Sequence, residues 1–243
     1  MDTKPRHLIS VACLATAVAL CSSVVAAGPR PMPVHSNAFG GSYAEHAESW
    51  LEWAMSIPAA TSPFLDTDGS YAAVGQQGKV WYLAGNFGGT TERTITVPTG
   101  KAVFLPVLNA FWVNTPEYGD APWSEAQEAF AQQAVAALVD TATDFALEID
   151  GKPVANIADF RVLSTTGSCN LPPTDNVFGV PLEPVPHECL ADGYWALLPP
   201  MSVGMHTVHF RGSISANGFS LDVTYYVNVK PRHKAGEVKA VPH

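Results

Sequence analysis

The sequence predicts a mainly β protein, a β-sandwich of the immunoglobulin-like or jelly-roll-like kind, with two packed α-helices in a single α+β domain. Short runs rich in β-branched and aromatic residues recur along the chain, separated by turns that contain glycine or proline. Two other stretches carry helical periodicity, and each begins with a capping box. A length of 243 residues without an internal repeat is typical of one domain behind a leader.

Three apolar runs, at residues 80–84, 94–97 and 102–107, are predicted to form the centre of a β-sheet. The first and third runs are apolar at nearly every position, which indicates strands buried on both faces. The middle run alternates, with Arg93 and Ile95 on one side and threonines on the other. One face of that strand should therefore be exposed.

The order of residues across this segment also carries a resemblance. Its fixed points are Trp50-x-x-Trp53, Asp66-x-x-Gly69, Gly75-Gln76-x-Gly78-x-Val80-Trp81-Tyr82-Leu83-Ala84-Gly85, Arg93, Val97-Pro98-x-Gly100-Lys101 and Phe104-x-Pro106-x-x-Asn109. This pattern, over about residues 43–110, resembles a group of uncharacterised secreted bacterial proteins. That group often has cysteines after the aspartate turn and beside the arginine, whereas this chain has none there. The resemblance implies no activity that can be transferred.

The N-terminus is predicted to be a secretory signal peptide, residues 1–27. Lys4 and Arg6 precede an apolar run at residues 8–20, and small residues lead up to a cleavage site after Ala27. The apolar run is too short to span a bilayer, so we expect a soluble protein, secreted or periplasmic. The remaining chain is expected to divide into a Pro-rich leader at 28–42, a β-rich domain at 43–229 and a polar basic tail at 230–243.

Cys169 and Cys189 are predicted to form a disulfide. The chain has four cysteines, and the other two leave with the signal peptide. Paired cysteines are the rule in exported proteins, and this bond would pin a proline-rich loop. By loop-entropy arguments it would contribute about 3 kcal/mol to the free energy of unfolding.

Two helices are expected, near residues 43–56 and 121–141. Ser42 with Glu45, and Ser124 with Gln127, match the capping box. The apolar stripe expected to bury the second helix consists of Trp123, Ala126, Phe130, Ala134, Ala137 and Leu138.

The second half of the chain is predicted to form an antiparallel series of strands. Residues 219–229 alternate strictly between apolar and polar side chains, and residues 205–211 are the expected partner strand. Further strands are expected at 145–149, 160–163 and 194–198. Asp150-Gly151 matches the preference of a two-residue hairpin turn.

The composition argues against several classes of function. A formal net charge of −9 makes nucleic acid an unexpected partner. No motif of a serine hydrolase, a zinc enzyme or a nucleotide cofactor is present, so no cofactor or metal is expected. Asp66-Thr67-Asp68-Gly69 has the wrong spacing for a calcium loop and indicates a turn. His206 and His209 fall on opposite faces of a strand, which is poor geometry for a shared metal.

Two functional hypotheses remain. The first is a monomeric, non-catalytic binding module for a glycan or another small apolar-faced ligand, which would stack on exposed aromatic rings. The alternative is a glycan-acting hydrolase or lyase, in which an Asp/Glu pair works with Arg93. Under either hypothesis the residues expected to border one site are Trp50, Trp53, Gln76, Arg93, Asn109 and Trp112.

The same residues also have plainer interpretations. Gln76 and Asn109 could hydrogen-bond turn backbone, as buried amides commonly do. Arg93 could form a structural ion pair. Convergence of Arg93, Gln76, Asn109 and a carboxylate in one aromatic-lined pocket, or their scatter over the sheet, separates these possibilities.

Overall fold

A computed structural model describes residues 30–115 and 122–231. The predicted signal peptide, and the predicted tail beyond Pro231, lie outside the described residues and stay predictions. In chain order the elements are α1 Tyr43–Ser56, β1 Val80–Tyr82, β2 Gly89–Pro98, β3 Ala102–Val113, α2 Glu125–Val139, β4 Ala142–Ile149, β5 Lys152–Pro153, β6 Arg161–Leu163, β7 Gly167–Cys169, β8 His187–Leu198, β9 Gly204–Ile214 and β10 Phe219–Lys230.

The strands form two sheets, which makes the protein a mainly β, sandwich-like α+β domain as predicted. The first sheet has the order β1-β3-β8-β6, with β7 also paired to β8. The second has the order β2-β10-β9-β4-β5. Most pairings are antiparallel, but β1 pairs with β3 and β2 pairs with β10 in parallel. The antiparallel series predicted for the strands after α2 is confirmed, because each of the two parallel pairings involves a strand that precedes α2.

The three early strands do not share a sheet, which corrects the sequence prediction. β1 and β3 are neighbours, whereas β2 crosses to the edge of the second sheet. The burial pattern explains the division. β3 is buried on both faces because α1 covers one face of its sheet and the second sheet covers the other, while β2 keeps one face exposed.

Two apolar cores lie on either side of the first sheet. Between the sheets, one apolar cluster includes Leu105, Phe210 and Val223, and all three are fully buried. On the other side, α1 places Trp50 against Trp195, whose ring centroid lies 5.3 Å away. The alternation predicted for β10 is confirmed, because its apolar positions from 221 to 229 are buried.

Helix α1 begins and ends where the sequence predicts. The side chain of Ser42 accepts a hydrogen bond from the backbone nitrogen of Glu45, and the carboxylate of Glu45 bonds back to Ser42. Ser42 thus satisfies a donor that the helix would leave free. The hydroxyl of Tyr43 donates to the carbonyl of Met32 at 2.6 Å and ties the preceding segment to the helix. Burial of this hydroxyl raises the pKa of Tyr43 to about 12.

Helix α2 is shorter than predicted and buries a different stripe. Its capping box is confirmed, but its buried residues are Ala131, Val135 and Val139. Phe130 is 59% exposed and meets Trp112 edge-on. The prediction of the buried stripe failed because alanines and valines occur on all sides of this helix. The apolar pattern therefore did not determine which side faces β3 and β8.

The predicted hairpin turn and the predicted disulfide are confirmed. Asp150 and Gly151 both have positive φ, at 52° and 69°, as a two-residue hairpin turn requires. The bond between Cys169 and Cys189 joins β7 to β8 inside the core under α1. Across the described ranges, none of the helices is long and apolar enough to cross a membrane.

The register of β10 can be tested with two aspartate substitutions. Val223→Asp places a carboxylate between the sheets and should lower the free energy of unfolding by about 3 kcal/mol or more. Thr224→Asp, whose side chain lies on the outer face, should cost less than about 1 kcal/mol. Urea denaturation of both variants checks this, and equal losses would show that the assigned faces are wrong.

Candidate functional site

The two tryptophans of α1 are packed into the structure and do not face an opening. Trp50 is fully buried, and its Nε1 donates to the carbonyl of Leu83 at 2.8 Å. Trp53 is 7% exposed, and its Nε1 donates to the carbonyl of Val74 at 2.9 Å. Both indoles therefore tie α1 to the segment that leads into and out of β1.

The side chain of Gln76 forms hydrogen bonds to the backbone of the same segment. Its Nε2 donates to the carbonyls of Ala72 and Tyr82, and its Oε1 accepts from the backbone nitrogen of Tyr82. These bonds match the plainer interpretation, in which the amide supports turn backbone. The neighbouring aspartate turn is also built as expected, since the carboxylate of Asp66 accepts from the backbone nitrogens of Gly69 and Tyr71.

Arg93 is a buried hub of hydrogen bonds. Its side chain points inward from β2, and the residue is 1% exposed. Nε donates to the carbonyl of Asp66 at 2.6 Å, and Nη1 donates to the carbonyls of Ala84 and Gly85 and to the hydroxyl of Tyr225 at 2.5 Å. No ion pair of Arg93 is found within the described residues. The expected structural ion pair is thus replaced by carbonyl and phenol oxygens.

The position of Arg93 shows what it supports. Tyr225 lies opposite Arg93 in the parallel pairing of β2 with β10, which places guanidinium and phenol together. Burial raises the pKa of Tyr225, and the charge of Arg93 acts in the opposite direction. Through Gly85, and through a longer contact to the carbonyl of Phe64 at 3.5 Å, Arg93 reaches two residues that line a pocket. Arg93 therefore holds the backbone of two pocket-lining residues in place from the buried side.

The pocket opens beside β3 and has a volume of about 210 Å³. β1 ends at Tyr82 and pairs with β3 only as far as Phe104, whereas β3 continues to Val113. Beyond Phe104 the edge of β3 is lined by the β1–β2 loop, the end of α2 and the β9–β10 connection. The lining residues are Phe64, Gly85, Asn86, Phe87, Asn109, Ala110, Phe111, Leu138, Ile214, Asn217, Phe219 and Leu221.

Phenylalanine rings form much of the wall. The ring centroids of Phe64 and Phe87 are 5.0 Å apart, and those of Phe64 and Phe111 are 6.3 Å apart. Phe219 lies at the start of β10 on the same pocket. Phe87 is 49% exposed, so this ring forms part of the rim. None of the lining residues carries a charged side chain.

Three asparagines line the pocket, and the side chains of two of them hydrogen-bond to nearby backbone. Oδ1 of Asn86 accepts from the nitrogen of Gly88, and Oδ1 of Asn217 accepts from the nitrogen of Phe219. Nδ2 of Asn109 differs, because it is buried and has no hydrogen-bond partner among the described residues.

The six residues predicted to share one site are therefore not brought together around this pocket. Asn109 lines it, whereas Trp50, Trp53, Gln76, Arg93 and Trp112 do not. Trp112 is half-buried on the α2 side of β3, against Phe130. Sequence reasoning missed the phenylalanines, and the available signal was Phe87 inside Gly85-Asn86-Phe87-Gly88-Gly89, an apolar ring in a loop of small residues.

Two more open grooves, each with charged side chains in its lining, lie elsewhere. One borders the start of α1 and contains Asp159 and Arg161, whose guanidinium is bound to Asp192 at 2.7 Å. The other lies on the outer face of the second sheet and contains Asp144 and Arg211. No group of three potential metal ligands occurs within residues 30–115 and 122–231.

Removing the guanidinium of Arg93 should destabilise the protein strongly. Arg93→Leu leaves buried oxygens from three segments without a donor, so we expect the free energy of unfolding to fall by about 3 kcal/mol or more. Arg211→Leu on the exposed face of the same sheet is the matched control and should change it by less than about 1 kcal/mol. Chemical denaturation measures both, and a wild-type midpoint for Arg93→Leu would contradict the assigned role.

Comparison with known proteins adds little to this description. No family model and no curated protein matches the chain. One solved structure, a solution structure of amebosin, matches 63% of this chain and 100% of that chain at 12% sequence identity and a TM-score of 0.20. A similarity this weak carries no argument about fold or function.

Proposed function

We propose that this protein is a non-catalytic binding module for a small, uncharged molecule with an apolar face, which it holds in the pocket beside β3. The observation that carries the proposal is the pocket wall, which consists of four phenylalanines, small and aliphatic residues and three asparagines, with no charged side chain. An apolar cavity of roughly 150 Å³ accommodates benzene. A pocket of about 210 Å³ therefore suits one substituted ring.

The residues that line the pocket favour a binding module over a glycan hydrolase or lyase. A glycosidase places two carboxyl groups on either side of the scissile bond, and one of them must donate a proton. The residues that line this pocket include no aspartate or glutamate. Arg93, the cation proposed to orient a substrate, commits its donors to Asp66, Ala84, Gly85 and Tyr225.

Within the class of binding modules, the pocket favours an apolar ring over a sugar. A bound sugar presents several hydroxyl groups, and each must find a hydrogen-bond partner when it leaves water. The amide of Asn86 is engaged at both ends, since Oδ1 accepts from Gly88 and Nδ2 donates to Gly89 and Thr91. Oδ1 of Asn217 accepts one bond from the nitrogen of Phe219. Phenylalanine rings stack on apolar faces but donate and accept no conventional hydrogen bonds.

The compartment is proposed on separate grounds. The predicted signal peptide directs the chain to export, and the buried bond between Cys169 and Cys189 suits an oxidising compartment. The ligand is thus proposed to be met outside the cytoplasm, in the periplasm or in the medium.

Binding of simple ring compounds tests the proposal. Ligand-observed NMR with toluene and with acetophenone should show binding to the wild type. Phe87→Ala should weaken that binding by about 3- to 10-fold, because one stacking ring is lost at the rim. Phe87 is half-exposed, so the variant should keep its fold.

The matched control is Phe178→Ala, which removes another partly exposed ring that does not line the pocket. Its affinity for both compounds should equal that of the wild type. Absence of binding by the wild type, or equal affinity of Phe87→Ala, would overturn the proposal. Product release from a panel of polysaccharides would support the hydrolase or lyase instead.

A further inference from the structure

Beyond Phe104, the edge of β3 that borders the pocket has no neighbouring strand among the described residues. β1 pairs with β3 only as far as Phe104, and the other strand paired with β3 is β8, on the opposite side. β3 therefore continues to Val113 with one side open. An open edge presents backbone N–H and C=O groups that an added strand can bind.

The register with β8 identifies which residues present these groups. The backbone nitrogen of Asn114 donates to the carbonyl of Glu188 in β8 at 2.8 Å, so the backbone of Asn114 faces β8. The pairing is regular from Leu108 to Val113, and successive residues of an antiparallel strand direct their backbone groups to opposite sides. The residues at odd distances from Asn114, among them Asn109 and Phe111, therefore face the open side.

The close approach of Gly193 supports this assignment. Gly193 lies opposite Asn109, and a Cβ built on it would stand 2.5 Å from the Cβ of Asn109. Opposed residues that do not hydrogen-bond to each other lie closer together than those that do. Asn109 thus forms a non-hydrogen-bonded pair with β8, and its backbone N–H and C=O point away from that strand.

The open backbone groups of Asn109 and Phe111 lie beside the cavity. Both residues line the pocket, and both are half-buried. Among the described residues, neither the backbone nitrogens nor the backbone oxygens of these two residues have a hydrogen-bond partner. The cavity therefore combines a wall of phenylalanine rings with a strand edge that can donate and accept hydrogen bonds.

The rings and the open edge are arranged so that one ligand residue reaches both. A residue directly opposite Phe111 in an added antiparallel strand exchanges two hydrogen bonds with it, one in each direction. Its side chain then lies on the same face as the ring of Phe111. That ring lies 6.3 Å from the ring of Phe64, which in turn lies 5.0 Å from the ring of Phe87. A side chain in this place therefore enters the cluster of phenylalanines.

Resting on the proposed function, we infer that the pocket binds a peptide-like ligand, namely an uncharged, N-acylated aromatic amino acid amide such as an aromatic residue within a short peptide. The ring of the ligand enters the phenylalanine-lined cavity. The N–H of the ligand residue donates to the carbonyl of Phe111, and its C=O accepts from the N–H of Phe111. Main-chain bonds to an open strand edge supply affinity, and the side-chain pocket supplies specificity.

Two probes of nearly the same shape test the inference. They are N-acetyl-L-phenylalaninamide and the amide of O-acetyl-L-phenyllactic acid, in which an ester oxygen replaces the N–H. The ester is the less polar of the two, so transfer from water alone would make it bind more tightly. For the wild type we expect N-acetyl-L-phenylalaninamide to bind about 3- to 10-fold more tightly, as measured by ligand-observed NMR titration.

Two variants at one position test the donor on the protein. Phe111→Ala and Phe111→Pro both lose the ring, but only the proline also lacks the backbone N–H that faces the open side. Proline is tolerated in a strand where the missing N–H lies outside the ladder, and circular dichroism checks the fold. Phe111→Pro should bind N-acetyl-L-phenylalaninamide about 3- to 10-fold more weakly than Phe111→Ala, whereas both should bind toluene equally.

Amide hydrogen exchange of the wild type locates the contact without any substitution. Saturating N-acetyl-L-phenylalaninamide should slow exchange of the N–H of Phe111 by about 5-fold or more, because this group becomes hydrogen-bonded. The N–H of Ala110, which faces β8, is the internal control and should exchange at an unchanged rate.

The outcomes separate this inference from the function on which it rests. If toluene binds the wild type but the two probes bind equally, or exchange at Phe111 is unchanged by the amide, the pocket binds rings and the role of the strand edge is wrong. If neither toluene nor either probe binds, both the inference and the proposed function fail. A preference for the amide together with slowed exchange at Phe111 establishes pairing with the edge of β3.

Discussion

A buried guanidinium determines much of how this chain is arranged. A positive charge removed from water is tolerated only where its donors meet acceptors, and Arg93 meets them in carbonyls and a phenol oxygen from three separate segments. The segment around Asp66, the end of the β1 region at Ala84 and the strand that carries Tyr225 must all come to one point. Backbone carbonyls thus do here what carboxylates do in most buried arginine sites.

This requirement links the two sheets. β1 belongs to the first sheet and β2 to the second, and the carbonyls of Ala84 and Gly85 lie in the loop between them. Because Arg93 holds that loop, the chain crosses between the sheets close to Phe104, where β3 loses its neighbour. The pocket is therefore a geometric result of the crossing.

The sequence predicted those features that depend on local chemistry. Both capping boxes, the Asp150-Gly151 turn, the Asp66 turn and the alternation of β10 are visible in a few adjacent residues. Alternation also predicted correctly that β2 is exposed on one face. It did not give the partner of β2, because burial of one face is compatible with either sheet.

The candidate site could be predicted much less well. Trp50 and Trp53 were expected to border a site, but the carbonyls that accept from their indoles are more than twenty residues away in sequence. Only the three-dimensional path of the chain shows that both indoles are buried and hydrogen-bonded to backbone. Phe87 carried a weak signal, since exposed phenylalanines are ordinary in surface loops. Asn109 was named for its place in a pattern, and its unpaired nitrogen is a property of the folded pocket alone.

The close approach of Gly193 to β3 has an evolutionary consequence. A methyl group at position 193 would overlap the Cβ of Asn109 and the carbonyl of Leu108, both at 2.5 Å, and the second of these is backbone that cannot move aside. A side chain at this position requires the bulged middle of β3 to shift, whatever residue stands at 109. Homologues that keep this strand geometry should thus retain glycine at 193.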